Sequence, residues 1–536
     1  MEQVIFDPLE EYEAKFRNLH AENTAKFLAA LVERSGVDIE QNRRTVSELN
    51  LYKENLSKLK KKLNWLRFLR VLMCITILLI PLVILKTTPK IRALRTEIDE
   101  AQTRADALLA EANNQMLPLN SLFTDRDALR LIESTIPLIA FDDKFTVKQE
   151  ADMIINYDFE GNDDPEQSTI DVLAGTYNEN PFLFENKRIH TMGTETYHGY
   201  KTIHWTEHYI DSNGKMRSRS RSQTLHATVT KPKPFYSTQV VLTYCAQGGP
   251  ELSFTRDAGH LHTKSERQIE RLVKRGEKKL ERKEDKALRR NEEFVSMANS
   301  EFEVLFDALD RDNEVQFRTL FTPLAQTNMV DLILSKAGFG DDFHFIKRKR
   351  TNRIISGHSQ GRLINLLPGN YVSYSYDIIE ENFTGKNAAF FKAVYFDFAP
   401  LLAIPLYQER PVHSLKPIPD YSQLYSFKEC EVLANAVDER YVVHPASKTQ
   451  AIIKSDFVRS ENNIDETCIT AYTYDIEKRV DYVSVHGGDG RFHSVPVEWD
   501  EYMPLENSGH FYVSTADGAK GKSVMAKHNG LCIFNT

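Results

Sequence analysis

One apolar segment, residues 68–85, constrains the fold of this chain more than any other feature. It begins at Phe68 and ends at Leu85, and from Val71 onward it holds no charged residue. An α-helix of fifteen to eighteen residues rises about 22 to 27 Å, close to the ~30 Å hydrocarbon core of a bilayer. We therefore predict a short transmembrane helix over residues 68–85, and hence a single-pass protein of the cell membrane.

The flanks of this segment favour a membrane span over its alternative, a buried core helix. Arg70 can extend its side chain to the membrane interface, and Pro81 lies inside the predicted span. Cations are dense on both sides, at Lys58, Lys60, Lys61, Lys62 and Arg67 before the segment and at Lys86, Lys90, Arg92 and Arg95 after it. A core helix is seldom apolar on every face and bracketed in this way.

Leucine-rich seams adjoin the predicted span on both sides. Leu49 to Leu66 and Ile91 to Ala112 carry apolar residues at alternating spacings of three and four. Such spacing is typical of coiled coils, so a homo-oligomer is one expectation, and packing within one chain is the other. Thr88-Pro89 predicts the end of the span and the start of a new helix, because proline suits a first helical position.

The side of the membrane that holds the soluble body stays open. The slight excess of cations before the span would put the body outside the cell. Cys245, Cys430, Cys468 and Cys532 form no CxxC pair, which is typical of a reducing compartment. On this ground we expect a cytoplasmic body.

The region after the span predicts an α+β fold with a mixed, largely antiparallel β body and added helices. The predicted domains are a helical region with the span (1–118), a β-rich domain (119–260), a charged exposed helix (261–296), an α+β domain (297–420) and a C-terminal α+β subdomain (421–536). Strands are expected around Phe145 and Met153 and over most of 343–396. Asp211-Ser-Asn-Gly214 predicts a hairpin turn.

A serine motif, Gly357-His-Ser-Gln-Gly361, matches the nucleophile elbow of α/β-hydrolases. That elbow needs a buried strand before the serine and a helix after it. The polar residues 347–352 and the early Pro368 do not fit this context, so we favour a hairpin loop. In the alternative, Ser359 is a nucleophile and His413 or His444 is its base.

A second motif, His204-Trp-Thr-Glu-His208, resembles the zinc-binding string of inverted zinc peptidases. In a strand its two histidines would lie about 13 Å apart, too far to share one zinc ion. We predict neither a metal site nor a cofactor.

An arginine stripe is the best candidate for a binding surface. Arg217, Arg219 and Arg221 alternate with serines, so they share one face of a strand. A two-residue turn would place Ile210, His208 and Thr206 opposite them. The stripe, with the basic helix after His262, could bind phosphates or anionic lipids, although a solvated outer sheet face is favoured. A net charge of −8 makes nucleic acid an unlikely general partner.

A family resemblance lies between Phe302 and Pro323. Phe302-x-x-x-Phe306, Asp312-Asn-Glu-Val315 and Leu320-Phe-Thr-Pro323 resemble a family of bacterial membrane-anchored proteins whose domain has no assigned function. The resemblance implies a bacterial protein with an N-terminal anchor, and it implies no catalytic residue.

We therefore predict a membrane-anchored, non-catalytic protein that acts as a scaffold or partner-binding module. Its expected partners are the lipid bilayer, further copies of itself, and a protein or envelope component that the sequence does not identify. One alternative is a membrane-bound serine hydrolase using Ser359. The other is a module that binds anionic lipid or nucleic acid through the arginine stripe.

Overall fold

The structure is a computed structural model of the whole chain. It describes residues 4–74, 80–161, 164–290, 294, 296–308, 310–411, 416–423, 425–461, 464–514 and 531–532. Contacts group the chain into two units. Unit 1 comprises residues 1–9, 138–364 and 396–536, and unit 2 comprises residues 10–137 and 365–395.

Unit 2 is helical. Its elements are α2 (Arg17–Ser35), α3 (Ile39–Cys74), α4 (Ile80–Asn120), α5 (Asp127–Thr135) and the first part of α11 (Tyr376–Leu402), preceded by the short α1 (Pro8–Glu11) and a π-helical turn (Tyr12–Phe16). Gly36 ends α2 at a φ of +65°, the left-handed conformation that glycine adopts without strain. Leu28, Met116, Phe123 and Phe383 belong to the buried core of this unit.

Helices α3 and α4 pack side by side and run antiparallel. Lys60 donates to Gln102 over 3.2 Å, whereas Thr45, earlier in α3, accepts from Gln115, later in α4, over 2.9 Å. The seam between them is buried and consists of Leu49, Leu56, Leu63, Ile91, Leu94, Ile98, Ala105 and Leu108. Both predicted seams are thus covered within one chain, and self-association stays a prediction.

Helix α3 ends at Cys74 and α4 begins at Ile80, so the predicted span falls on the end of one described helix and the start of the next. Residues 75–79 lie outside the described residues. Among the described residues, no helix combines the length and apolar character needed to cross a bilayer. The predicted helix start at Pro89 is wrong, since α4 continues through Pro89, with the backbone already helical from Ile80.

Unit 1 is built on two antiparallel sheets. The first has the order β1-β2-β3-β4-β7-β6-β5, with strands β1 (Ile139–Phe141), β2 (Gln167–Tyr177), β3 (Asn180–Ile210), β4 (Met216–Cys245), β5 (Ser253–Arg256), β6 (Phe343–Arg348) and β7 (Thr351–Ser356). The second has the order β11-β10-β9-β8, with β8 (Ile452–Glu461), β9 (Ile464–His486), β10 (Phe492–Ser514) and β11 (Leu531–Cys532). The fold class is therefore α+β with largely antiparallel sheets, as predicted.

Long strands join the two sheets into one core. Ile203, Leu225 and Ala227 from the first sheet are buried with Val495 and Val497 from the second. The backbone of β3 also approaches β10 closely. A Cβ added to Gly199 would lie 2.1 Å from the carbonyl oxygen of Pro496, so only glycine fits at this crossing.

Unit 1 also contains helices that flank the sheets in the chain. They are α6 (Val147–Tyr157), α7 (Glu266–Arg290), α8 (Ser300–Phe306), α9 (Glu314–Leu320), α10 (Pro323–Leu334), α12 (Phe427–Ala436), α13 (Glu439–Val442) and the end of α11. Three predicted strands are wrong, and the first of them, around Phe145, is a loop that leads into α6. The segment around Met153 is α6, whose start is fixed by a capping box between Thr146 and Gln149. Residues 376–396 belong to α11 and not to a strand.

Candidate functional site

The arginine stripe lies on the predicted hairpin, but its cross-strand partners differ from those expected by one residue. Arg217 pairs with Tyr209, Arg219 with Glu207 and Arg221 with Trp205, because the turn is one residue longer than two. The shift places Glu207 on the same face as the arginines. Its carboxylate accepts from Arg219 Nε at 2.6 Å and from Arg221 Nε at 2.9 Å.

Carboxylates therefore neutralise the stripe. Arg217 Nε donates to Asp211 Oδ2 over 2.8 Å. Hydrogen bonds from Arg219 and Arg221 hold the pKa of Glu207 at about 2, so that this carboxylate is ionised throughout the physiological range. Every arginine of the stripe has an acidic partner, which weakens it as an anion-binding surface.

The zinc-like string lies in β3, as its alternation predicts. His204 stands opposite Ser222 and His208 opposite Ser218 in the β3–β4 ladder. Among the described residues, no group of three or more histidine, cysteine, aspartate or glutamate side chains could hold a metal ion.

Ser359 follows β7 in a 3₁₀ turn, Gly357–Ser359, and the next residues form loops instead of a helix. The strand before it lies between β4 and β6 in an antiparallel sheet. A nucleophile elbow needs a parallel sheet and a following helix. Ser359 is fully buried, and its hydroxyl lies 2.8 and 2.9 Å from the two carboxylate oxygens of Asp397.

The residues around Ser359 form a closed ion cluster. Arg362 Nη2 donates to Asp397 Oδ2 over 2.6 Å. His358 bridges two carboxylates, with Nδ1 2.8 Å from Asp342 and Nε2 3.4 Å from Asp397. Burial lowers the pKa of His358, but its hydrogen bonds to Asp342 and Asp397 outweigh this and raise the pKa to about 9.

This cluster is poorly suited to nucleophilic catalysis. A serine nucleophile needs a neutral base that can take its proton. His358 is instead held as a cation between Asp342 and Asp397, and the Ser359 hydroxyl is bonded to the carboxylate. Phe339 stacks on the imidazole at 3.8 Å between ring centroids and adds to the closure. The cluster therefore anchors the loop after β7 to α11.

The predicted span residues fall at the ends of α3 and α4. Phe68 is 64% exposed, and the nearby Trp65 is 59% exposed. The side chains of Arg70, Pro81 and Leu85 lie outside the described residues. Two large aromatic side chains are thus exposed near this end of α3.

A cavity of about 720 Å³ lies between α7 and α8, and we call it the α7 groove. Five cations line it: Lys264, Arg271, Arg275, Lys279 and Lys283. The four on α7 recur every fourth residue, so they share one face of the helix. Two acids, Glu303 and Asp307, also line the groove.

Charge in the α7 groove is only partly compensated. Glu303 is buried and pairs with Arg311 at 2.5 Å, outside the set of lining cations. Burial raises the pKa of Asp307, although Lys279, Arg256 and Lys283 oppose this. Within the part of the chain that the structure describes, Arg271, Arg275 and Lys279 form no ion pair. The groove thus carries an excess of positive charge.

A glycine shapes the α7 groove. A Cβ added to Gly276 would lie 2.4 Å from Val304 Cγ1, so glycine lets α7 approach α8 at this point. The spacing of the four α7 cations is visible in the sequence and could have identified the groove. The contribution of α8 could not be foreseen, because it depends on tertiary packing.

Comparisons with protein-family models, with curated proteins and with solved structures find no match to this chain. The resemblance over Phe302–Pro323 therefore stays a prediction.

Proposed function

We propose that this chain is a membrane-docked, non-catalytic binding protein that enters a bilayer through the tip of the α3–α4 hairpin. The antiparallel packing of α3 against α4 carries this proposal. It brings both ends of the apolar segment 68–85 together, because α3 ends at Cys74 and α4 begins at Ile80. In this proposal the segment forms the apolar tip of the hairpin.

The dimensions of the tip suit one leaflet. Residues 68–74 on α3 and 80–85 on α4 each rise about 10 Å as helix. Interfacial apolar elements enter a bilayer by about 5 to 10 Å. Exposed Trp65 and Phe68 would then lie at the level of the headgroups, where aromatic side chains are favoured.

The same geometry accounts for the cations on both flanks of the segment. A spanning helix would place Lys60 and Arg92 on opposite sides of the membrane, whereas a hairpin places them on one side. Basic residues on both arms then face the same anionic lipid surface, at about 1 kcal/mol for each cation near it. The proposed location is the membrane surface, with both arms on the cytoplasmic side.

Vesicle flotation tests the docking. The full chain should float with vesicles that contain phosphatidylserine, and more weakly with neutral vesicles. Leu72→Asp combined with Val83→Asp should abolish flotation by introducing charge into the tip. Leu51→Asp is the matched control, because Leu51 is 62% exposed on the arm of α3. Unchanged flotation of the tip variant would refute the proposal.

Cysteine labelling distinguishes a tip from a span. Ser57 and Thr103 are exposed and lie on opposite arms of the hairpin. In a background where Cys74 is serine, Ser57→Cys and Thr103→Cys should both react with a membrane-impermeant maleimide from the same side of sealed vesicles. Labelling of the two cysteines from opposite sides would establish a span.

A second proposal concerns the α7 groove, which we propose binds phosphate groups of an anionic ligand. The excess of cations on one helix face favours it, because arginine and lysine bind phosphate through charge-assisted hydrogen bonds. Tripolyphosphate should bind the full chain in a salt-sensitive manner. Arg271→Gln with Arg275→Gln should weaken binding at least tenfold. Arg219→Gln with Arg221→Gln, in the neutralised stripe, should leave the affinity for tripolyphosphate unchanged. An equal loss of affinity in the two double variants would refute a specific site in the α7 groove.

A further inference from the structure

A second cavity, of about 400 Å³, lies where the two sheets of unit 1 meet. Its walls are mostly aromatic and aliphatic, formed by Tyr236, Tyr472, Tyr474, Ile452, Pro504 and Leu505. Small-molecule sites in proteins have this size and character, with a few polar groups that orient the ligand. We call it the His190 cavity, after the one histidine among its described lining residues.

His190 is held in one orientation. Its Nδ1 bonds the carboxylate of Glu166, and its backbone N–H donates to the Glu166 carbonyl oxygen over 2.8 Å. The imidazole also contacts two tyrosine rings, with its centroid 5.3 Å from that of Tyr236 and 5.6 Å from that of Tyr474. In the tautomer whose Nδ1–H donates to the carboxylate of Glu166, Nε2 presents a lone pair.

Two buried polar atoms on residues that line this cavity have no partner among the described residues. They are Nε2 of His190 and Oγ1 of Thr473. The His190 side chain is 7% exposed and Thr473 is 2% exposed. Buried polar groups are nearly always hydrogen-bonded, and leaving one unpaired is destabilising. A ligand with suitable polar groups would give both atoms a hydrogen-bond partner.

The charge of the cavity selects the ligand class. Glu166 and Glu506 line it, and no lysine or arginine occurs among its described lining residues. The tyrosine faces also attract cations. The lone pair of His190 needs an N–H or O–H donor, which a quaternary ammonium lacks. We infer that the His190 cavity binds a small organic cation with N–H donors, such as a primary alkylammonium.

Isothermal titration of the full chain with three small probes tests this inference. Butylammonium should bind with saturation. Tetramethylammonium, which has charge but no donor, should bind at least fivefold more weakly, and butyrate should not bind. Absence of butylammonium binding would overturn the inference. The inference would also be overturned if tetramethylammonium bound as tightly as butylammonium, or if butyrate bound more tightly than butylammonium.

Thr473→Val is the decisive variant because it keeps the shape of the side chain. Removal of an unpaired buried hydroxyl should raise the melting temperature of the free protein. The same change should weaken butylammonium at least fivefold and reduce the thermal shift that it causes. Thr228→Val, at an exposed position on β4, should change neither quantity. Full affinity in Thr473→Val, with butylammonium still bound, would show that the ligand lies elsewhere and would overturn the assignment.

Discussion

The hydroxyl of Ser359 donates to the carboxylate of Asp397 and accepts from Arg362 Nη2 over 3.1 Å. Asp397 is itself bound by Arg362 at 2.6 Å and is almost completely buried. Its pKa is lowered, because the hydrogen bond from His358 and the charge of Arg362 outweigh the effect of burial. The GHSQG motif thus belongs to an internal ion cluster that holds a loop in place.

Ser359→Ala should therefore act on stability and not on catalysis. Loss of a hydrogen bond to a buried carboxylate is expected to lower the free energy of unfolding by about 1.5 to 3 kcal/mol. Urea denaturation of the wild type and the variant measures this. A fluorophosphonate probe should leave the folded protein unlabelled. Labelling at Ser359 would restore the serine hydrolase hypothesis.

The His358 bridge predicts a pH dependence of stability. The pKa of His358 is about 9 in the folded chain, against 6.5 when unfolded. The folded state therefore holds the proton more tightly, and its contribution is complete below pH 6.5 and lost as pH rises through 9. The difference corresponds to about 3 kcal/mol. Urea denaturation between pH 6 and 10 should show this decline, and His358→Gln should lack it. An equal decline in the variant would assign it to other groups.

Local sequence signals predicted some elements well. The Asn-Gly turn identified the β3–β4 hairpin, since such a turn needs only the residues within it. It did not determine the register, because one extra turn residue moved Glu207 opposite Arg219. α11 was missed because it is apolar on several faces and so lacks a helical period. The apolar run at Met153 fits a strand as well as a helix, and the capping box between Thr146 and Gln149 determines that it is a helix.

Sites were harder to predict than elements. The cations of the α7 groove are neighbours on one helix, so their spacing was visible in the sequence. The His190 cavity joins Glu166 and His190 to Thr473, nearly 300 residues away along the chain. Only the meeting of the two sheets brings these residues together, and no local pattern records it.

The seam between α3 and α4 predicts unequal costs for two neighbouring leucines. Leu49 is fully buried, whereas Leu51 is 62% exposed. Leu49→Ala should lower the free energy of unfolding of unit 2 by about 2 to 5 kcal/mol, and Leu51→Ala by less than about 0.5 kcal/mol. Hydrogen exchange of α3 amides measures both changes. If the apolar residues of the seam are buried within one chain, exchange rates should not depend on protein concentration. Slower exchange at higher concentration would show self-association.

Two helical glycines should respond in opposite directions to alanine. Gly276→Ala places a Cβ against Val304 and should cost about 1 to 3 kcal/mol. Gly385→Ala on α11 meets no atom within 4 Å and should gain about 0.5 to 1 kcal/mol through helix propensity. Thermal unfolding compares the two. Adding Val304→Ala to Gly276→Ala should recover part of the loss, and no recovery would mean that the clash is not its cause.

Glu150 predicts a second pH effect. It is 8% exposed on α6, and its Oε1 has no hydrogen-bond partner among the described residues. Burial raises its pKa to about 7, with the charge of Lys428 opposing that rise. Since the unfolded value is 4.5, the folded state favours the protonated acid. The free energy of unfolding should then fall as pH rises from 4.5 to 7, by about 3 kcal/mol from this group.

Glu150→Gln isolates that effect, because the amide resembles the protonated acid at every pH. Relative to the wild type, the variant should gain stability steadily between pH 4.5 and 7 and keep the gain above pH 7. Urea denaturation at pH 5 and pH 8 is sufficient to measure it. Glu207→Gln should instead lower the free energy of unfolding relative to the wild type at both pH values. Arg219 and Arg221 lower the pKa of Glu207, so its ionised form stabilises the folded state. A pH-independent difference for Glu150→Gln would mean that the carboxyl is ionised in the folded protein and that Lys428 neutralises it.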